Sequence, residues 1–258
     1  IDLEHSVAKI MKEQEQHGFM LDEQKATMLA AKLNSKMAEI EKKVHETFKP
    51  KWVDDKLVTP KLRKDGTISK VGLTNEEMRK CLRSNNLEPF MRQKWVTFNL
   101  ASRKQIGEYL IDFGWKPIKF TPTGQPIVDE STLEKVKGIP EATLIAEFMM
   151  LQKRVAQVSS WLELSKDGRV HGFVIPNGAI TGRMTHRSPN VAQTPSSNKP
   201  YGKECRECWT VPEGYKLVGI DASGLELRVL AHYMKNKEYI NEIVNGDIHT
   251  TNQNLARL

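Results

Sequence analysis

The stretch Tyr215-Lys-Leu-Val-Gly-Ile-Asp-Ala-Ser-Gly-Leu-Glu-Leu-Arg228 decides how this chain is read. Leu217 to Ile220 is an apolar run suited to a buried strand, and Asp221 ends it. Ser223-Gly224 then turns into a helix with Leu227, Leu230, Ala231 and Met234 on one side. A carboxylate at the carboxyl end of a buried strand sits where ligands collect. Backbone groups at the strand-to-helix turn can hold a phosphate or a metal. Asp221 is equally suited to capping the helix that follows, and composition does not choose between the two roles.

Thirty-odd residues upstream runs Thr181-Gly-Arg-Met-Thr-His-Arg-Ser-Pro-Asn-Val-Ala-Gln-Thr-Pro195. It is too polar and too often broken by Pro and Gly for a helix or a buried strand. Arg183, Thr185, His186, Asn190 and Gln193 crowd into it as donors suited to phosphates and base edges. In the minor groove every base pair offers acceptors at similar places, so such donors can check pair shape without reading sequence. An ordinary polar loop with internally satisfied side chains has the same composition.

Outward from these stretches the chain is mostly helical. Apolar spacing predicts helices from Asp2 to Gly18, from about Asp22 to Phe48 with Pro50 beyond its end, and from Ser102 to Phe113. Ser131–Lys137 reads as a short helix opened by Asp129 or Ser131, and Glu141–Leu164 as a long one. Asp167-Gly168 is a hairpin turn before a strand-like Val170–Val174. Residues 51–98 lose periodicity and read as an insertion or long loop. It holds one short helix at Asn75–Ser84, opened by a Thr74/Glu77 capping box.

The 258 residues are 39% hydrophobic and 28% charged, a core-forming composition for one large or two modest domains. The net charge is +7, and Lys51 to Lys104 alone carries 13 Lys/Arg against 6 Asp/Glu. That localised excess suits a polyanion, although a solvated Lys-rich insertion has the same charge. No run of about 18 apolar residues and no secretory signal are visible. The start at Ile1 leaves room for sequence upstream. Three cysteines, Cys81, Cys205 and Cys208, fit a reducing compartment. Cys205-Arg-Glu-Cys208 lacks a second ligand pair for zinc and the strand–helix setting of a redox site, so it reads as structural.

Three ordered motifs together carry a resemblance. Asp221-Ala-Ser-Gly-Leu-Glu-Leu-Arg228 resembles motif A of family A DNA polymerases. Thr181 to Ser196 resembles that family's primer-template motif, and Asn245-Gly-Asp-Ile-His-Thr250 resembles the lead into its fingers. Ser223-Gly-Leu-Glu226 and the Pro200-Tyr-Gly-x-x-Cys-Arg206 pattern are similar to the branch of replicative polymerases from short-tailed T-odd coliphages. Bacterial DNA polymerase I is a more distant likeness. The resemblance runs from Ile1-Asp-Leu-Glu-His5 onward and is weakest at about 49–98.

The resemblance implies an α+β fold: a mostly helical thumb over 1–167 with the basic insertion, then the first strands and helix of a polymerase palm over 168–258, running into the fingers. It implies deoxynucleotidyl transfer to a primer 3′ end, with two Mg2+ ions held by two aspartates. By match, Asp221 is one of those aspartates and the Ala222 carbonyl completes a metal's shell. Ser223, Gly224 and Leu225 line the triphosphate pocket through their backbone. Glu226 is the steric gate against a ribose 2′-hydroxyl, and His249 contacts the incoming phosphates. Arg183 contacts the primer-terminal base, with Thr185, Asn190 and Gln193 beside it. Lys153 and Arg154 grip duplex backbone, and Ser102, Arg103 and Lys104 open a phosphate-facing helix.

The implied partners are primer-template DNA, deoxynucleoside triphosphates and, at 49–98, a processivity factor such as thioredoxin. The implied location is the cytoplasm of a bacterial host, with a phage-encoded gene and no membrane association. The fingers helix and motif C, which carries the second aspartate, have no counterpart here. The chain alone is therefore expected to be inactive, as a truncated polymerase or as half of a split one that needs the missing portion in cis or in trans. The alternative is a stand-alone duplex-DNA-binding module. Asp2-Leu-Glu4 spells an exonuclease DxE but opens a helix with no strand before it, and is not read as a site.

Overall fold

The computed structural model describes residues 2–84 and 87–256, apart from the side chains of His249 and Leu255. The chain forms two compact units that divide between Thr210 and Val211. Residues 168–210, expected with the palm, lie in the first of them.

In the first unit α1 (Asp2–His17) ends at Gly18, whose N–H reaches the Gln14 carbonyl at 2.9 Å. The long helix α2 (Glu23–Thr47) starts where the Asp22 side chain accepts from the Lys25 N–H. It packs along α6 (Pro140–Glu163), which has Pro at its first turn. The core lies between them. Leu33 and Val44 from α2 and Ile145, Leu151, Val158 and Trp161 from α6 are wholly buried, each worth about 1.5–3 kcal/mol of transfer free energy. Phe48, Phe98 and Tyr109 extend the core as an aromatic cluster with centroids 4.7–5.4 Å apart. Tyr109 sits on α4 (Arg103–Asp112). The segment expected to be helical over Ser131–Lys137 is shorter, α5 (Glu130–Leu133), capped by Asp129.

Several short strands escaped the sequence reading, one of them at Thr185–Arg187 inside the polar 181–195 stretch. β1 (Phe19–Leu21) is an inner strand of a four-stranded antiparallel sheet and pairs on one side with β8 (Trp209–Thr210). On its other side lie β5 (Arg169–Val170) and β4 (Ser165–Lys166), joined by the expected turn at Asp167-Gly168 with φ of +52° and +72°. The strand expected over Val170–Val174 is two strands in different sheets. β5 ends at Val170, and β6 (Phe173–Ile175) pairs with β7 (Thr185–Arg187). Strands of two or three residues are too short to show alternation, which is why they do not stand out in the sequence.

The insertion is not a long loop. β2 (Lys51–Val58) and β3 (Phe90–Val96) form an antiparallel ribbon, and α3 (Asn75–Ser84) lies between them in sequence. Val58, Ile68, Leu73 and Cys81 make a second small core. Arg92 holds Glu77 with two hydrogen bonds of 2.5 and 2.6 Å. The Thr74 N–H reaches Glu77 Oε2 at 2.7 Å and the Glu77 N–H reaches Thr74 Oγ1 at 3.3 Å, the expected capping box. The Arg92 guanidinium, with the Thr74 bonds, pulls the Glu77 carboxyl down to about 2. A register shift between Asp54 and Lys56 breaks the strand alternation that would have identified the ribbon.

The second unit contains α8 (Leu225–Met234), α9 (Lys237–Asn245) and α10 (Ile248–Ala256), with α8 packed on α9. The buried strand expected at Leu217–Ile220 does not form, and Leu217, Val218 and Ile220 are 67%, 77% and 96% exposed. A strand needs a ladder partner, and no described strand pairs with this segment. The apolar side expected for α8 is likewise mostly uncovered: Ala231 is buried, while Leu230 and Met234 are exposed.

Candidate nucleic-acid interface

In the first unit the primer-template-like segment is a shaped loop seated on α6. The β6–β7 pair sets Val174 opposite His186 and Ile175 opposite Thr185. Between the strands the chain closes tightly. The Gly182 N–H reaches the Ala179 carbonyl at 2.9 Å, and the Ala179 N–H reaches the Arg183 carbonyl at 3.0 Å. Arg183 is exposed on this closure, and Thr185 is half-buried on β7. Beyond Pro189 a short 3-10 turn, Val191–Gln193, presents an exposed Gln193 next to a half-buried Asn190. Asn190 Oδ1 and His186 Nδ1 are buried atoms with no partner within the chain among the described residues. Such atoms are ordinarily satisfied by water or a ligand.

α6 fastens this loop. Gln157 Nε2 donates to the Gln193 carbonyl at 2.9 Å, and Arg154 Nε donates to the Pro200 carbonyl at 3.3 Å. The two are one helical turn apart and share a face. Arg206 Nε donates to the Pro195 carbonyl at 2.8 Å. Arg206 belongs to α7 (Gly202–Glu207), where Gly202 is required: a Cβ there would stand 1.9 Å from the Ser196 carbonyl oxygen. Cys205 and Cys208 are buried thiols, and burial pushes Cys208 up to about 11, far from a reactive thiolate. The pair packs the loop's base.

The cationic residues assigned to the duplex backbone already have intrachain contacts. Lys153 is 2.7 Å from the Glu130 carboxylate, and Arg154 holds Pro200 as described. At the start of α4 the Ser102 hydroxyl accepts the Gln105 N–H at 3.4 Å. Arg103 and Lys104 are exposed there, with Lys104 3.9 Å from Glu108.

In the second unit Asp221, Ala222, Ser223, Gly224, Leu225 and Glu226 are all exposed. Asp221 does not cap α8. The N-cap is Gly224 at φ +59°, with no side-chain cap bond. Arg228 instead ties the turn, its Nε donating to the Ser223 carbonyl at 2.8 Å. Asp247 caps the last helix through Thr250, whose Oγ1 donates to Asp247 Oδ2 at 2.7 Å. The side chain of His249, expected on the phosphates, lies outside the described residues. Among the described residues no three His, Cys, Asp or Glu side chains gather to hold a metal. Among the described residues the exposed carboxylate of Asp221 belongs to no such cluster. Among the described residues no helix is long and apolar enough to cross a membrane.

Residue choice alone did not reveal the scaffold roles of Gln157, Arg154 and Arg206. Their signal is positional: long donors spaced along the helices that face a proline-broken loop with no regular partners of its own.

Comparison with known proteins agrees with the motifs. The profile of DNA polymerase family A matches residues 70–256. A DNA-directed DNA polymerase of Escherichia phage T7 is 36% identical across 100% of this chain and 43% of its own length. One of Enterobacteria phage T3 is 37% identical with the same coverage. This chain thus spans less than half of these relatives. Among solved structures, the POL domain of Pol1 from M. smegmatis, in complex with DNA primer-template and dNTP, aligns with a TM-score of 0.65 over 93% of this chain and 35% of that one. At 20% identity that likeness speaks to the fold alone. With the profile covering well over half of its residues, the chain belongs to DNA polymerase family A.

Proposed function

We propose that this chain is a segment of a template-directed DNA polymerase, acting on primer-template DNA and deoxynucleoside triphosphates in the cytoplasm of a bacterial host. In this reading residues 1–167 are the thumb, with the insertion at about 49–98, and 168–258 are the first part of the palm running into the fingers. The observation that carries the reading is the pairing of a family A sequence over 70–256 with an exposed, uncapped turn at Asp221–Gly224. A catalytic carboxylate has to be reachable by substrate, and an Asp spent on a helix cap would not be.

In the complete enzyme Asp221, with the Ala222 carbonyl beside it in sequence, would hold magnesium. When bound, the metal would supply charge neutralisation for nucleotidyl transfer. Ser223, Gly224 and Leu225 present backbone to the triphosphate, Glu226 excludes the 2′-hydroxyl, and His249 contacts the phosphates. Arg183 docks the primer terminus, with Thr185, Asn190 and Gln193 beside it. The unpartnered Asn190 Oδ1 supports a ligand or ordered water at this place. Lys153, Arg154, Ser102, Arg103 and Lys104 border the duplex backbone. The insertion serves processivity, with thioredoxin as a candidate partner.

One catalytic carboxylate does not hold two metals, so the segment by itself is inactive. The test is primer extension with magnesium and all four deoxynucleotides, by the chain alone and mixed with a chain carrying the remaining palm and fingers. Extension only in the mixture supports the reading. Extension by the chain alone contradicts the missing carboxylate. Salt-sensitive DNA binding with no extension in either case favours a binding module.

A further inference from the structure

The ribbon of the insertion carries an exposed aromatic pair that the polymerase reading does not use. Lys51-Trp-Val53 opens β2 and Lys94-Trp-Val96 closes β3, and the antiparallel register sets Trp52 directly opposite Trp95. Their ring centroids are 5.4 Å apart, yet the residues are 63% and 57% exposed. Further along the ribbon Leu57 pairs with Met91, and these are 62% and 48% exposed. A cross-strand aromatic pair stabilises a ribbon, but a pair left this exposed also offers apolar ring surface to a ligand.

The charge around the pair selects the occupant. Residues 51–96 carry eleven Lys/Arg against six Asp/Glu. Each tryptophan has a lysine beside it in its strand. Lys51 pairs with Asp112 at the far end of α4, and Lys94 with Asp55, both at the surface, where ion pairs are weak and yield to a stronger anion. The Lys51–Asp112 contact ties the ribbon to the C-terminal end of the ten-residue α4, so Arg103 and Lys104 at its other end lie roughly 15 Å away. A groove from Trp52 past Met91 towards α3 is lined by Lys80 and Arg92 as well as Glu76, Glu77 and Glu88, so its charge is mixed. The lysines beside the tryptophans and the basic start of α4 offer phosphates a path towards the body of the unit.

We propose that Trp52 and Trp95 form a stacking platform for unpaired bases of a single DNA strand, whose phosphates run towards Lys51, Lys94 and the start of α4. Aromatic faces stack any base, so the platform is indifferent to sequence, as a strand-retaining device on a polymerase needs to be. This deepens the processivity reading of the insertion and replaces a protein partner with the nucleic acid itself on this face.

The test uses the full chain and a fluorescein-labelled dT12 oligonucleotide, with anisotropy read across a salt series. Trp52→Leu/Trp95→Leu is expected to weaken dT12 binding ~tenfold or more, while Trp52→Phe/Trp95→Phe, which keeps stacking faces, retains most of it. Circular dichroism of both variants establishes that the ribbon is still folded. Affinity for a fully paired duplex, which the thumb contacts supply, is expected to be unchanged in both. Equal dT12 affinity in wild type and the Leu pair overturns the proposal, as does loss of binding to purified thioredoxin with dT12 affinity intact. Failure of the polymerase reading would appear separately, in primer extension by the complemented enzyme.

Discussion

The two units treat the same family signature in opposite ways. In residues 1–210 the loop at 181–196 is held by Gln157 on α6, whose other face is buried with Leu151, Val158 and Trp161, and by Arg206 on α7. In residues 211–258 the motif at 215–228 rests on nothing of comparable strength: Leu217, Val218 and Ile220 are exposed and unpaired. The first motif is held by a core present within its own unit. The second has no strand pairing among the described residues. A signature can thus be sharp in sequence where the local fold supports it little.

That contrast can be broken by mutation, and the largest effect is expected in the first unit. Trp161→Ala should cost about 3–5 kcal/mol in thermal or denaturant unfolding, since Trp161 is wholly buried. A cost under about 1 kcal/mol would mean that the α2–α6 core is looser than described. Arg183→Ala, in the complemented enzyme, should slow primer extension ~tenfold or more while changing DNA affinity far less. Equal loss in both would make Arg183 a general phosphate contact.

A smaller, local effect is expected from acid. The folded-state carboxyl of Glu77 is depressed to about 2 by Arg92, so its contribution is fully present above the ordinary carboxylate range. It is lost as pH falls from about 4.5 towards 2. Hydrogen exchange of the β2–β3 amides should show protection declining over that window, and Glu77→Gln should flatten the dependence. The smallest effect belongs to the second unit: Ile220→Ser should change stability by no more than about 0.5 kcal/mol, because the side chain is already in water. A cost above about 2 kcal/mol would show that the strand is built after all.

Much of this was legible in the sequence, and the reasons are local. α2, α4 and α6 show apolar spacing over ten or more residues and bear recognisable starts at Asp22, Ser102 and Pro140. The Thr74/Glu77 box announced α3 even inside an otherwise unreadable segment. The ribbon around it was missed because a bulge at Asp54/Lys56 breaks its period and because it leaves tryptophans where a core would be expected. β1 and β8 are too short to carry a pattern, and their pairing spans almost the whole first unit, which no local reading reaches. At the candidate site, residue types marked 181–195 only as a polar, Pro/Gly-broken loop; the resemblance singled it out, and neither pointed to the helix donors that position it. Asp221 was ambiguous between cap and ligand, and the absence of a side-chain cap at Gly224 removes the first of these roles.

The most direct test of the central claim is Asp221→Asn in the complemented enzyme, with single-turnover primer extension and DNA affinity measured side by side. With Asp221 as the proposed metal ligand, the change should slow extension ~10^3-fold, several kcal/mol of barrier, while the Kd for primer-template and the thermal midpoint of the chain stay unchanged. Extension at near wild-type rate would remove Asp221 from the chemistry, and a matching loss of DNA affinity would make it a binding residue instead.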